Sequence, residues 1–307
     1  LIKIHKYDIV HSHTSLGGVI ARLASIGLSC KSLQTLHAFG ADLFTPQPQK
    51  SIYWLIEKCL DFATDAYIAP SEYMKQYGVK LKLFAANKVN VVYNSLPLRP
   101  PMPDVVTSDR IRIRTTLNID DKLVFLFCGR LEPQKGVDIL IKSLAEDSLK
   151  GLEFVVLVCG QGDNEVEYKQ LAAELGVDTR IIWLGWQTNV EQFYAACDIY
   201  VMPSRWESFG LVFLEAMNFK KPIIATNAQA IPEVVAHAEC GLISDNENVA
   251  QLAENIRALA VNSHLCRQMG EAGFHRLSIK FSFPEFVDKT FNVYTSLVDD
   301  KLNNSRQ

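Results

Sequence analysis

The run LVFLFCGRLEPQKGVDILIKSLA, residues 123–145, decides the fold. Leu123 to Cys128 is an unbroken apolar stretch with no polar face, as a strand buried on both sides of a sheet requires. A charged turn bounded by Gly129 and Gly136 follows, and then a helix-period segment to Ala145. A doubly buried strand leading through a short polar turn into an amphipathic helix opens a β–α–β unit, which implies a parallel sheet covered on both faces.

The same alternation extends both ways. Strands are expected at Asp8–Ser12, Ser32–His37, Ala66–Pro70, Lys88–Tyr93, Phe154–Gly160, Ile181–Leu184, Ile199–Pro203, Pro222–Thr226 and Gly241–Ser244. Between them lie helix-period segments such as Val19–Ile26, Tyr53–Ala63, Glu165–Leu175, Val190–Ala196 and Val249–Ala260. Pro97, Pro100, Pro101 and Pro103 form a stiff connector, followed by a helix carrying Arg110, Arg112 and Arg114. Three parts are expected: a partial first domain with linker at 1–116, a second doubly wound domain at 117–281, and a C-terminal helix at 282–307 that packs back toward the first. A chain of 307 residues is long enough for two domains.

Composition excludes several functions. Lys plus Arg number 31 against 34 Asp plus Glu, a net charge of −3, so no nucleic-acid partner is expected from bulk positive charge. No apolar run approaches the ~20 residues of a membrane span. The seven cysteines contain no CxxC, and several sit in apolar runs, which suits unpaired thiols in a reducing cytosol.

Two segments carry chemistry. In Gly129–Gly136, Arg130 and Lys135 stand beyond a strand end and before a helix, where unpaired N–H groups favour anions. Read alone, this is either a diphosphate site or a solvated turn. In PSRWESFGLVFLEAM, residues 203–217, Glu207 lies in a loop and Glu215 one turn inside the following helix, amid apolar residues. A carboxylate so placed needs a partner. His11 and His13 form an H-x-H with no third ligand nearby in sequence, and Gly160-Gln161-Gly162 lacks a third glycine, since Glu165 holds that position. Lys75, Lys80, Lys82 and Lys88 interleave with Val79, Leu81, Leu83 and Phe84, read either as an amphipathic surface or as a contact for anionic lipid.

GRLEPQKG, CGQGDNEVEYKQLAAELGV, WLGW, CDIYVMPSRWESFGLVFLEAM and IIATNAQAIPEVV, in this order and spacing, closely resemble the group-1, family-4 retaining glycosyltransferases. The resemblance covers essentially the whole chain. It implies the α/β GT-B fold, two Rossmann-like doubly wound domains facing a cleft, with the N-terminal one incomplete here. It implies transfer of a hexosyl group from a nucleotide-sugar, UDP favoured, to a glycan or lipid-linked acceptor in cell-surface polysaccharide or glycolipid synthesis. The expected location is cytoplasmic, with membrane-surface contact at the inner face. No cofactor is expected, and the lack of a DxD-type cluster implies transfer without a metal.

Residue by residue, the resemblance places Arg130 and Lys135 on the donor diphosphate and Glu215 on the ribose hydroxyls. It sets Glu207 at the reacting face of the sugar and the backbone of Phe209, Gly210 and Leu211 against the donor. His37, in TLHAFGADLF, matches a catalytic histidine, while His13, in HSHTSLGGVIARLA, with Ser71 and Asn94, matches acceptor-side positions. Three departures stand out: Gln229-Ala230 replaces a glycine pair, Asn94-Ser95 replaces Asn-Gly, and the family's opening βα units are not present, as in an N-terminally truncated chain. The alternatives are a nucleotide-sugar epimerase, a carboxylate-pair hydrolase, for which the basic turn has no use, and a truncated chain that binds nucleotide without activity.

Overall fold

The computed structural model describes residues 2–39, 45–97 and 99–304; Gly40 to Phe44 of the TLHAFGADLF segment lie outside the described residues. The chain divides into two compact units, Leu1–Ser95 with Phe283–Gln307, and Leu96–Ser282.

The first unit begins with a short helix, α1 (Ile2–His5), then alternates β1 (Ile9–His13), α2 (Ser15–Ser25), β2 (Lys31–Thr35), α3 (Gln49–Leu60), β3 (Ala66–Ala69), α4 (Glu72–Lys80) and β4 (Val89–Val91). The strands form one sheet in sequential order, every pair parallel. The C-terminal helix, Phe283–Asn304, lays Val293 and Leu297 onto Leu33, Ala66 and Ile68 of this sheet. On the opposite side Leu83 and Phe84 are buried with Tyr67, Tyr77 and Val89, and Val79 and Leu81 pack against them. The apolar side chains of the stretch 79–84 therefore pack toward the core beneath β3 and β4, while Lys80 and Lys82 stay exposed.

In the second unit, α5 (Pro103–Leu117) leads into β5 (Leu123–Cys128), α6 (Val137–Leu144), β6 (Phe154–Cys159), α7 (Glu165–Glu174), β7 (Ile181–Gly185), α8 (Glu191–Ala196), β8 (Ile199–Met202), α9 (Leu211–Asn218), β9 (Ile223–Thr226), α10 (Ile231–Val234), β10 (Gly241–Ser244), α11 (Val249–Ala260) and α12 (Ser263–Lys280). The sheet order is β10-β9-β8-β5-β6-β7, again all parallel. This is the doubly wound order in which the chain starts centrally, winds outward one way and returns to wind the other, so that a crevice opens between β5 and β8.

The boundary falls at Ser95–Leu96 and not at 116, because α5 belongs to the second unit. Arg110 and Arg114 of α5 donate to the Ala196 carbonyl at the end of α8, both at 3.0 Å. The same two guanidiniums hold the two oxygens of Asp198, at 2.7 and 2.6 Å. Asp198 Oδ2 also accepts from Val124 N at 2.9 Å, so one carboxylate fastens the linker helix to the starts of β5 and β8.

Candidate active site

At the carboxyl end of the second sheet, the loops after β5 and β6 are stacked closely. Gly129 N donates to Cys159 O at 2.9 Å, Leu131 N to Gln161 O at 3.1 Å, and Gly160 N to Gly185 O at 2.8 Å. A Cβ on Gly160, whose φ is +144°, would stand 1.8 Å from the Gly129 carbonyl oxygen, and one on Gly162 would stand 2.5 Å from that of Leu131. The G-x-G that is weak as a dinucleotide signature is thus what lets two backbones approach. The resulting cavity, about 490 Å³, is lined by Cys128, Arg130, Gln161, Trp186 and Gln187 among others. The Trp186 ring stands at its rim, 64% exposed.

Beside it, the turn Pro133–Lys135 ends in Gly136 at φ +67°, where a Cβ would lie 2.0 Å from the Pro203 carbonyl oxygen. The loops after β5 and β8 therefore touch across the switch point. The contact brings Lys135 Nζ onto Glu207 Oε1 as an ion pair between side chains only 15% and 8% exposed. Ser204 Oγ donates to the same carboxylate oxygen at 3.3 Å, and Ala230 N donates to the Glu207 carbonyl at 3.2 Å. Arg130, the other expected cation, is placed differently. Its side chain is 63% exposed at the cavity mouth and reaches Glu132 at 2.8 Å and Gln134 at 3.1 Å.

Helix α9 opens at Gly210, φ +87°, with no side-chain cap. Its first amides carry the positive end of the helix dipole and accept an anion readily. Phe209 is buried with its ring edge-on to Phe281 at 5.5 Å, so its side chain is core and anchors the loop. Leu211 is the first residue of the helix. One turn on, Glu215 accepts from the Tyr194 hydroxyl at 2.9 Å. Burial raises the Glu215 pKa above the usual carboxyl range; the Tyr194 hydroxyl offsets part of this, and the charge of Glu191 adds to it. Tyr194 packs on Tyr200, whose hydroxyl donates to the Cys128 carbonyl at 3.3 Å, tying Glu215 to the cavity floor.

The first unit collects the other expected residues. His13 ends β1, and His37, Ser71 and Asn94 follow β2, β3 and β4. Because the strands are parallel, all four stand beyond the same, carboxyl edge. His13 Nδ1 and His37 Nε2 share a hydrogen bond of 3.0 Å with the rings stacked. His11 lies between Tyr294 Oη and Thr35 Oγ1, each at 2.7 Å. Burial, with the nearby His13 and His37, lowers the His11 pKa to about 4, and burial and His13 also lower that of His37. His11 and His37 are thus favoured neutral. Ser71 is fully buried and caps α4, accepting from Met74 N at 3.2 Å. Among the described residues, no three His, Cys, Asp or Glu side chains are grouped to hold a metal ion.

Sequence reading alone missed Tyr194, Trp186 and Arg205. Tyr194 sits four residues before the strand-opening Asp198, in a helix-period segment where an aromatic reads as ordinary core.

Comparison with known proteins adds the following. A family model described as glycosyl transferases group 1 matches residues 109–276, and one described as glycosyltransferase family 4 matches residues 1–99. An uncharacterized glycosyltransferase of Methanocaldococcus jannaschii is 30% identical over 303 residues, covering 97% of this chain and 78% of that protein. The UDP-Gal:alpha-D-GlcNAc-diphosphoundecaprenol alpha-1,3-galactosyltransferase of Escherichia coli is 25% identical over 317 residues, covering 98% and 78%. The crystal structure of Anabaena HepE in complex with UDP superposes with a TM-score of 0.85 at 23% identity, covering 96% of this chain and 80% of that one. At that identity the likeness speaks for the fold, the GT-B pairing of two parallel-sheet domains.

Proposed function

The chain belongs to the group 1 glycosyl transferases, and from that premise we propose that it is a retaining glycosyltransferase that takes its sugar from a UDP-sugar. The observation that carries the reading is the Lys135–Glu207 pair, held at the switch point of the second sheet beside the uncapped start of α9. A cation, helix-end amides and a part-buried carboxylate in one crevice suit a substrate that is a diphosphate at one end and a polyhydroxy ring at the other.

In this reading the nucleoside enters the cavity rimmed by Trp186, and Glu215 accepts from the ribose hydroxyls. The diphosphate meets the α9 amides, Lys135 and Arg130. For Arg130 this means leaving Glu132, which its exposure makes inexpensive. In transfer, an acceptor hydroxyl oxygen bonds to the anomeric carbon as the bond from that carbon to the diphosphate oxygen breaks. The electron pair leaves on the diphosphate and the hydroxyl proton follows to it. Charge thus grows where the cation and amides already stand, which is electrostatic preorganisation worth several kcal/mol in sites of this type. We read transfer as metal-independent because these groups neutralise the leaving group themselves. Glu207 faces the sugar, and His37 and His13 mark the acceptor side.

The relative from Escherichia coli, named for a diphosphoundecaprenol acceptor, supports a saccharide or lipid-linked acceptor in polysaccharide or glycolipid synthesis. No helix among the described residues is long and apolar enough to cross a membrane. Contact with a cytoplasmic membrane face falls in this reading to α2, which exposes Leu16, Ile20 and Leu23 at helical spacing. Flotation with anionic vesicles tests it: wild-type protein is expected to float and Ile20→Asp to stay behind, and equal behaviour of the two removes the contact from α2. The donor reading is tested by hydrolysis of UDP-sugars in EDTA, which Glu207→Ala should abolish while leaving UDP affinity unchanged. Full turnover by Glu207→Ala would take the carboxylate out of the reaction.

A further inference from the structure

Arg205 stands two residues before Glu207, and all five of its N–H donors are occupied. Nη1 and Nη2 grip Asp138 Oδ1 and Oδ2, both at 2.8 Å. Nε and Nη2 reach Glu247 Oε1 and Oε2 at 2.5 and 3.1 Å, and Nη1 donates to the Pro133 carbonyl at 2.7 Å. The backbone is engaged as well: Arg205 N donates to Gln134 O at 2.8 Å, and Arg205 O accepts from Asn246 Nδ2 at 3.1 Å. Next to it, Gln134 Nε2 donates to Trp206 O at 3.0 Å.

Three separate segments meet on this side chain: the turn that carries Lys135, the start of α6 at Asp138, and the loop that carries Glu247. Two carboxylates more than cancel one guanidinium, so Arg205 has no positive charge left to offer a phosphate. Its contacts lie within the protein, in bidentate geometry that a lysine cannot reproduce. At 18% exposure on both partners, the Arg205–Asp138 pair is well shielded, unlike the exposed pairs that contribute little.

We propose that Arg205 is a positioning residue that buckles the Lys135 turn to the Glu207 loop and so fixes the spacing of cation and carboxylate against an incoming diphosphate. The inference rests on the reading of Lys135 and Glu207 as donor residues. It adds a device that neither residue supplies. The two loops come from distant parts of the chain, and besides the buckle they are joined by the Lys135–Glu207 ion pair, two backbone-directed hydrogen bonds and the Gly136–Pro203 approach. A displacement of about 1 Å in such a site costs up to a hundredfold in function.

The test uses the full chain with Arg205→Ala, Arg205→Lys and Lys135→Ala, singly and combined, read by UDP calorimetry and by amide hydrogen exchange without nucleotide. Both Arg205 variants should bind UDP about tenfold or more weakly, and exchange at 134–136 should quicken. In the double variant Lys135→Ala should add little to the loss already caused by Arg205→Ala, because a mispositioned cation has less to lose. Fold-losses that simply multiply, or unchanged exchange at 134–136, would overturn the buckle. Should Arg205→Ala fail to fold, Glu247→Gln loosens one arm only. It should raise exchange and weaken UDP binding by a smaller factor, and no change in either overturns the proposal. If wild-type protein binds no UDP, the donor reading fails, while the exchange measurement still decides the buckle.

Discussion

Lys135 and Glu207, 72 residues apart in the chain, meet as a part-buried ion pair where the loops after β5 and β8 touch. Both side chains are largely shielded from bulk water. Removing one partner of such a pair leaves an uncompensated charge and costs about 3 kcal/mol, whereas replacing both by neutral groups costs little. Lys135→Ala should therefore lower both UDP affinity and the thermal midpoint. Lys135→Met combined with Glu207→Gln should recover the midpoint but not the affinity. Recovery of both would show that the pair serves stability alone.

Gly136 shows why the turn cannot be rebuilt with other residues. At φ +67° a side chain is already strained by about 1 kcal/mol, and its Cβ would meet the Pro203 carbonyl oxygen at 2.0 Å. Gly136→Ala must push the Lys135 turn off the Glu207 loop. UDP affinity should fall at least as far as in Lys135→Ala, with a loss of stability of several kcal/mol by denaturant unfolding. An alanine variant that binds like wild type would mean that the two loops are free to separate.

Asp198 supports the second unit from the opposite end of the sheet. It answers Arg110, Arg114 and the Val124 amide at once. Asp198→Ala leaves two guanidiniums without their carboxylate and a backbone donor unpaired, so a loss of about 3 kcal/mol is expected, without change in UDP affinity for the fraction that remains folded. A drop in affinity with the midpoint unchanged would contradict this division between frame and site.

Much of this was legible in the sequence, for a physical reason. Strands buried on both faces must be apolar throughout, so LVFLFC and its counterparts stand out, and the residues that follow them are bound to lie at the carboxyl edge. Glu207, Glu215 and Lys135 are visible on that ground. Residues whose meaning depends on partners far along the chain are not. Arg205 reads as a loop charge until Asp138 and Glu247 close on it, and Tyr194 as core until Glu215 reaches it. The pairing of Gly160 with Gly129 joins two loops that are not neighbours in sequence. The apolar residues at 79–84 read as amphipathic because lysines interleave them where α4 ends, and only the sheet beside them shows that Leu83 and Phe84 are core. A proline-rich connector marks where the chain turns, not which unit its next helix joins, and α5 joins the second unit.

Acid should unfold the second unit through the same carboxylates. Burial alone would raise Asp138 and Asp198, but Arg205 for the one, and Arg110, the Val124 amide and Arg114 for the other, bring both pKa values below the ordinary 3.8. A carboxyl depressed in the native state binds protons less readily than in the unfolded chain, so its stabilisation is full above 3.8 and is lost as the pH falls through the lower native value. Asp198→Asn should flatten the fall in stability below pH 4 measured by urea titration; an unchanged slope would place the acid sensitivity elsewhere. Glu215 works in the other direction: its raised pKa keeps a proton on its carboxyl to higher pH, so, if the proposed ribose contact holds, UDP affinity should decline on mild acidification, and less so in Glu215→Gln.

The most direct test of the central claim is calorimetric titration of the folded 307-residue chain with UDP in the presence of EDTA. Micromolar binding to one site, lost in Lys135→Ala and retained in Glu207→Ala, is the predicted result. No heat from UDP in wild-type protein shown to be folded, or binding that Lys135→Ala leaves untouched, would contradict the assignment of the crevice between β5 and β8 as the donor site.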